Sequence, residues 1–118
     1  MARNDEAKIQ AAIVEWVRAV APEAIIFAVQ NGGLRTPREA ALLKWTGVVA
    51  GVPDLAVIAH GKAHFIEVKT SVGRLSEAQR DTIAKLETIG APVALARSID
   101  DARAASRAWG IETREAKQ

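Results

Sequence analysis

The chain has no cysteine and no tyrosine, and its aromatic residues are only Trp16, Phe27, Trp45, Phe65 and Trp109. Without cysteine there are no disulfides, no thiol nucleophile and no cysteine-ligated zinc or iron–sulfur centre. With so few rings, the stacking platforms of single-strand binders are not expected. Long apolar runs are missing too. The longest uncharged stretch, Ala24 to Leu34, falls well short of the ~20 apolar residues of a membrane span. The opening MARNDEAKIQ carries acid and amide where a signal peptide needs an apolar core. Charge of one sign is scarce as well: 16 basic against 14 acidic side chains leave +2, so a phosphate-binding surface would have to arise from clustering. A Gly-rich phosphate loop, a G-x-S-x-G elbow and a histidine pair at metal-ligand spacing are all absent from the sequence. What is present is 118 residues, 49% of them hydrophobic, which is composition enough for one core and one domain. The expectation is a soluble, intracellular, cytoplasmic single-domain protein spanning residues 1–118.

Glycine and proline occur singly, as punctuation between patterned segments. Ile9, Ala12, Ile13, Trp16 and Val20 recur at helical spacing, which predicts a first helix from Asn4 to Val20, stopped by Pro22. Ala24 to Val29 reads as a short buried strand. Thr36-Pro37-Arg38-Glu39 is a capping box with proline in the first helical position, opening a helix that runs to Trp45 and ends at Gly47. Asp54–Ala59 and Lys62–Thr70 are strand-like runs broken by His60-Gly61, the length of a tight hairpin turn. Ser76-Glu77-Ala78-Gln79 caps a helix through Ile89, stopped by Gly90. Pro92–Arg97 is another strand, and Ser98 caps a last helix to Trp109. Both faces of the hairpin are mainly apolar, so helices should lie on both. The fold class expected is α/β, a small mixed sheet sandwiched by helices.

One polar cluster stands out against this apolar hairpin. With His60-Gly61 as the turn, residue 59 pairs with 62, 58 with 63, and Asp54 falls across from Glu67. Lys69 lies two residues further along the same face. Directly opposed carboxylates cost some fraction of ~1 kcal/mol even when exposed. Something positive should therefore sit between them. Lys69 is only a diagonal neighbour, and a divalent cation would offset the repulsion more fully. Carboxylate oxygens favour Mg²⁺ or Mn²⁺ over zinc. The plainer alternative is a solvated Glu67–Lys69 pair, with Asp54 at the start of a strand.

Gln79 falls in the middle of the helix stripe Leu75, Ile83, Leu86 and Ile89 that should face the sheet. It either closes the capping box on Ser76 or reaches the cluster, and the two are compatible. His64 points to the face opposite Glu67, and His60 sits in the turn, so neither is expected to be a ligand. Glu15 lies off the apolar stripe of the first helix, where a solvated glutamate is the plain reading.

Taken together, Gly51-Val52-Pro53-Asp54-Leu55, Phe65-Ile66-Glu67-Val68-Lys69-Thr70 and Gly73-Arg74-Leu75-Ser76-Glu77-Ala78-Gln79 resemble the VRR-NUC branch of the PD-(D/E)XK nucleases. Asn31-Gly32-Gly33 with Arg35, ahead of Leu42-Leu43-Lys44, resembles the corresponding segment of small phage and bacterial members. The resemblance extends from the first helix to about Ala102. A lone D…E-x-K is a weak signal; these blocks in this order are a specific one. The resemblance implies a restriction-endonuclease-like core and a metal-dependent endonuclease of DNA. It implies further that Asp54, Glu67 and the main-chain carbonyl of Val68 hold Mg²⁺ or Mn²⁺, with Glu15 as the first-helix acid. By the same resemblance Lys69 handles the attacking water, and Gln79 is the motif glutamine. The stand-alone members it resembles act as homodimers on branched DNA such as four-way junctions.

Phosphate contacts would come from Arg35, Arg38, Lys44, Arg74 and Arg80, each of which is otherwise solubilising surface charge. None of these looks able to read bases, which favours recognition by backbone and shape. Trp45 and its helix are candidates for a dimer contact, against the more usual fate of tryptophan in a core. Two rival functions share the fold: a binding module that grips DNA or protein without cutting, and a restriction-type nuclease of linear duplex.

Overall fold

A computed structural model describes residues 2–30 and 36–115. Asn31, Gly32, Gly33 and Arg35 lie outside the described residues. The elements in chain order are α1 (Ala2–Val20), β1 (Ile25–Ala28), α2 (Pro37–Trp45), β2 (Leu55–Ala59), β3 (Lys62–Val68), α3 (Glu77–Thr88), β4 (Val93–Ala96) and α4 (Ile99–Ala108). The strands form one sheet in the order β1-β2-β3-β4. β1–β2 and β2–β3 are antiparallel, and β3–β4 is parallel.

Local chemistry accounts for the boundaries. Thr36 accepts a hydrogen bond from the Glu39 amide, with Pro37 inside the helix start. Ser76 and Gln79 form both halves of a capping box. Ser98 accepts from the Asp101 amide. The hairpin turns through His60 and Gly61, with φ of 54° and 70°. Two successive left-handed residues are what a two-residue turn needs to match the twist of the strands. The register is Ala59 opposite Lys62 through Leu55 opposite Ile66, as the turn length predicts. β3 is shorter than the pattern suggests. After Val68 the Lys69 amide still bonds to the Ala96 carbonyl, and then a turn closed by the Gly73 amide on the Thr70 carbonyl pulls the chain off the sheet.

The core lies on one face of the sheet. Ile26, Leu55, Val57, Ala59, Ile66, Val68 and Ala96 pack there against Ile13, Val17 and Val20 of α1 and Ala102 of α4. His64 shares this face. It is buried, its Nδ1 sits 3.1 Å from the Val57 carbonyl, and its ring lies 4.9 Å from that of Trp109. Its role is to fill the core, as its position opposite Glu67 implied.

The other face has a thinner cover. α3 lies over it with Leu75, Gln79, Ile83 and Leu86 half-buried, while Ile25, Phe27 and Leu95 stay exposed. Ile89 does not join the α3 stripe. It is 78% exposed, because the helix ends there and the backbone turns away. No residue of α2 is buried, and Trp45 is 83% exposed, so this tryptophan lies outside the core.

Residues 111–115, weakly patterned in sequence, are tied down by packing and hydrogen bonds. Ile111 is buried, the Arg114 amide donates to the Val20 carbonyl at 2.7 Å, and Arg103 pairs with Glu115 while lying over the Trp16 ring. Ile111→Ala should lower the unfolding free energy by about 2–4 kcal/mol, read by urea titration. A loss below ~1 kcal/mol would show that the tail only lies on the core. Among the described residues no helix is long and apolar enough to cross a membrane.

Candidate active site

The polar cluster forms where the β2–β3 ladder runs out. The Asp54 carbonyl takes the Val29 amide, and its Oδ2 accepts the Val68 amide at 2.8 Å. The carboxylate thus replaces a strand as partner for the next β3 amide, which fixes its orientation toward β3. Directly across, Glu67 points from the thinly covered face and is only 1% exposed. Its Oε2 accepts from Gln79 Nε2 at 3.0 Å and lies 3.6 Å from Lys69 Nζ. Its Oε1 is buried and finds no hydrogen-bond partner.

Burial, and next the negative charge of Asp54, push the Glu67 carboxyl up from 4.5 to about 8; Lys69 opposes this, and a proton shared with Asp54 and the charge of Glu6 add to it. Two carboxylates held together at the end of an apolar sheet share a proton or bind a cation. Lys69 reduces the excess negative charge without removing it.

Gln79 performs both of the roles open to it. Its Oε1 accepts the Ser76 amide at 2.8 Å while its Nε2 reaches Glu67. The capping box therefore fixes the rotamer that delivers the amide to the cluster. α3 is itself seated by the loop before β2. Thr82 donates its hydroxyl to the Ala50 carbonyl at 2.7 Å, and Gly51, at φ +78°, lies so close that a Cβ there would stand 2.2 Å from the Ala78 carbonyl oxygen.

The structure thus brings Asp54, Glu67, Val68, Lys69 and Gln79 together. It places Glu15 elsewhere: exposed, lining an open groove along α1 with Ala7, Gln10, Ala11, Val14 and Arg18. Of the α1 acids, Glu6 adds a charge that raises the Glu67 carboxyl, as the smallest of the causes, and sequence reasoning passed it over. A signal was available, since Glu6 is in helical register with Ile9, Ile13 and Val17 and so heads the stripe that faces the sheet. Glu15 does not share that register. Among the basic residues, Arg38 and Lys44 are exposed on α2 and Arg74 is exposed on the loop before α3. Arg80 is exposed and donates to the Leu75 carbonyl at 2.8 Å. Arg35 is outside the described residues.

Among the described residues, no group of three or more His, Cys, Asp or Glu side chains is arranged to hold a metal ion. The donors here are two carboxylates. Their fit to a divalent cation rests on the orphaned Glu67 Oε1 and on the repulsion Asp54 imposes. Hard oxygen donors suit Mg²⁺ or Mn²⁺.

A four-stranded mixed sheet, helices on its faces, and an acid–acid–lysine set at the strand ends define a nuclease-type α/β domain. The family model described as the VRR-NUC domain matches residues 2–100, and the chain belongs to that family. A solved structure of a "VRR_NUC domain protein" is similar in fold, with a TM-score of 0.60 and 24% identity over 86% of this chain and 84% of that one. Among curated proteins, none matches.

Proposed function

We propose that this protein is a Mg²⁺- or Mn²⁺-dependent endonuclease that cuts branched DNA as a homodimer. The observation that carries the reading is a buried carboxylate oxygen without a partner, set beside a second carboxylate and a lysine where the β2–β3 ladder ends. Asp54 and Glu67, with the Val68 carbonyl, would hold the metal, and Gln79 keeps Glu67 aimed. When bound, the metal would neutralise phosphate charge and lower the pKa of the attacking water. Lys69 orients that water and adds positive charge where the transition state gains negative charge. Arg38, Lys44, Arg74 and Arg80, with Arg35, supply phosphate contacts, which favours reading of backbone and shape over bases. Glu6 adds a small negative field to that of Asp54 at Glu67; Glu15 is the first-helix acid by the family resemblance alone.

The dimer reading is supported by α2, whose Leu42 and Trp45 are exposed together with Val49 just beyond. Symmetric cuts across a junction require two sites related by a two-fold axis. Trp45→Glu should convert a dimer to a monomer in light scattering at micromolar concentration; an unchanged mass would move the contact to another face.

The deciding experiment is a cleavage panel of four-way junction, flap, single strand and linear duplex, each with Mg²⁺, Mn²⁺ or EDTA. Metal-dependent nicking that favours the junction is expected. Lys69→Ala should reduce that rate by ~10²–10³-fold, the scale for loss of one charge-stabilising donor. Saturable binding indifferent to Mg²⁺, with no product on any substrate, would replace this reading with that of a binding module. Preference for linear duplex would make it a restriction-type enzyme.

A further inference from the structure

Lys69 and Gln79 stand at opposite ends of the connection between β3 and α3, and that connection has little of its own to hold it. It contains one turn, Thr70 to Gly73, and its Val72 is 83% exposed. The restraint comes from the neighbouring strand. β4 runs parallel to β3 with Ala96 opposite Val68, and the Lys69 amide bonds to the Ala96 carbonyl. Arg97 therefore leaves the sheet level with Lys69. Its Nη1 donates to the carbonyls of both Thr70 and Gly73, the latter at 2.8 Å. Its own amide is held by Asp101 Oδ2 at 2.8 Å, in the first turn of α4. Gly73 in turn borders the lysine: a Cβ at that position would lie 3.3 Å from Lys69 Cδ and 3.2 Å from Thr70 Oγ1.

We propose that Arg97 is a positioning residue that pins the Thr70–Gly73 turn and through it fixes the path of the Lys69 side chain. It acts through Gly73 and contacts no reacting atom. The chain of contact runs from the α4 cap to Arg97, to the turn, and to Lys69. Neither the family's three sequence blocks nor the polar cluster includes this arginine. Its catalytic consequence rests on the nuclease reading; the structural part does not.

The test compares Arg97→Ala with Arg97→Lys. Both contacts come from a single nitrogen, and a lysine ammonium has donors enough to replace them, whereas alanine has none. Amide hydrogen exchange is measured across residues 70–76 together with the kinetics of junction cleavage. Arg97→Ala should lose protection in that segment while α1 and β2 keep theirs. Its kcat should fall ~10–100-fold with KM within about twofold, the scale on which misplacing a catalytic group acts. Arg97→Lys should recover most of both. Full protection and wild-type kcat in Arg97→Ala, or no recovery in Arg97→Lys, would overturn the proposal. So would a loss of protection spread over the whole molecule. Should Arg97→Ala not fold, Arg97→Gln, whose side chain is shorter, takes its place. If the wild type cuts nothing, the nuclease reading fails, and exchange at residues 70–76 alone decides whether Arg97 pins the turn.

Discussion

Glu67→Gln should make the metal-free protein more stable at pH 8–9 and reduce cleavage to background. In the unfolded chain a glutamate ionises near 4.5, whereas burial and the charge of Asp54 hold Glu67 protonated until about 8 in the fold. Between those pH values the unfolded chain releases a proton that the native state keeps. Stability from this group is therefore whole below about pH 4.5 and is lost as pH rises to about 8. A shift of that size corresponds to about 3–5 kcal/mol. Glutamine keeps the shape, accepts from Gln79, and offers Asp54 a donor at every pH, as the Glu67 carboxyl does only while protonated. Chemical denaturation in EDTA should show a falling limb between pH 4.5 and 8 for the wild type and a much flatter one for the variant. Added Mg²⁺ or Mn²⁺ should restore wild-type stability at pH 8 and leave the variant unmoved, because a cation replaces the missing proton. A wild-type profile that is flat with pH and insensitive to metal would remove the buried-carboxylate argument.

Gly51→Ala should cost on the order of 3 kcal/mol of stability and lower activity beyond what the lost stability explains. Gly51 has φ +78°, where a side chain is strained, and its Cβ would fall 2.2 Å from Ala78 O, 2.3 Å from Ala78 C and 2.7 Å from Gln79 N. These are backbone atoms of the first turn of α3, so no rotamer change relieves the overlap. The helix must lift, and Gln79 lifts with it, away from Glu67. Urea denaturation gives the first effect. The second appears as a fall in kcat measured well below the unfolding midpoint. Wild-type stability in Gly51→Ala would mean that α3 is not seated on this loop.

Much of this was readable because it is local. Thr36, Ser76 and Ser98 announce helix starts by chemistry confined to four residues, and the helices begin beside them. His60-Gly61 sets the hairpin register, and the register alone places Asp54 across from Glu67. What escaped was the consequence of how helices sit on the sheet. Glu15 and Glu6 differ in their register with Ile9, Ile13 and Val17, and only the folded chain shows that the charge of Glu6, and not that of Glu15, adds to the rise at Glu67. Arg97 gave no signal, since its partners are carbonyls 24 and 27 residues away. Ile89 was misleading for the opposite reason, since an apolar side chain predicts burial but the end of α3 leaves it exposed, and for Trp45 the core alternative fails, leaving it exposed on α2.

By itself, then, the order of residues determined the elements, the hairpin register and the alignment of two acids and a lysine on one face, because alternation and turn length act between near neighbours. The tertiary structure decided which carboxylate oxygen is buried and which distant arginine hydrogen-bonds the turn beside Lys69. Burial and long-range hydrogen bonds depend on how separate elements meet in space, and no short stretch of sequence contains that information.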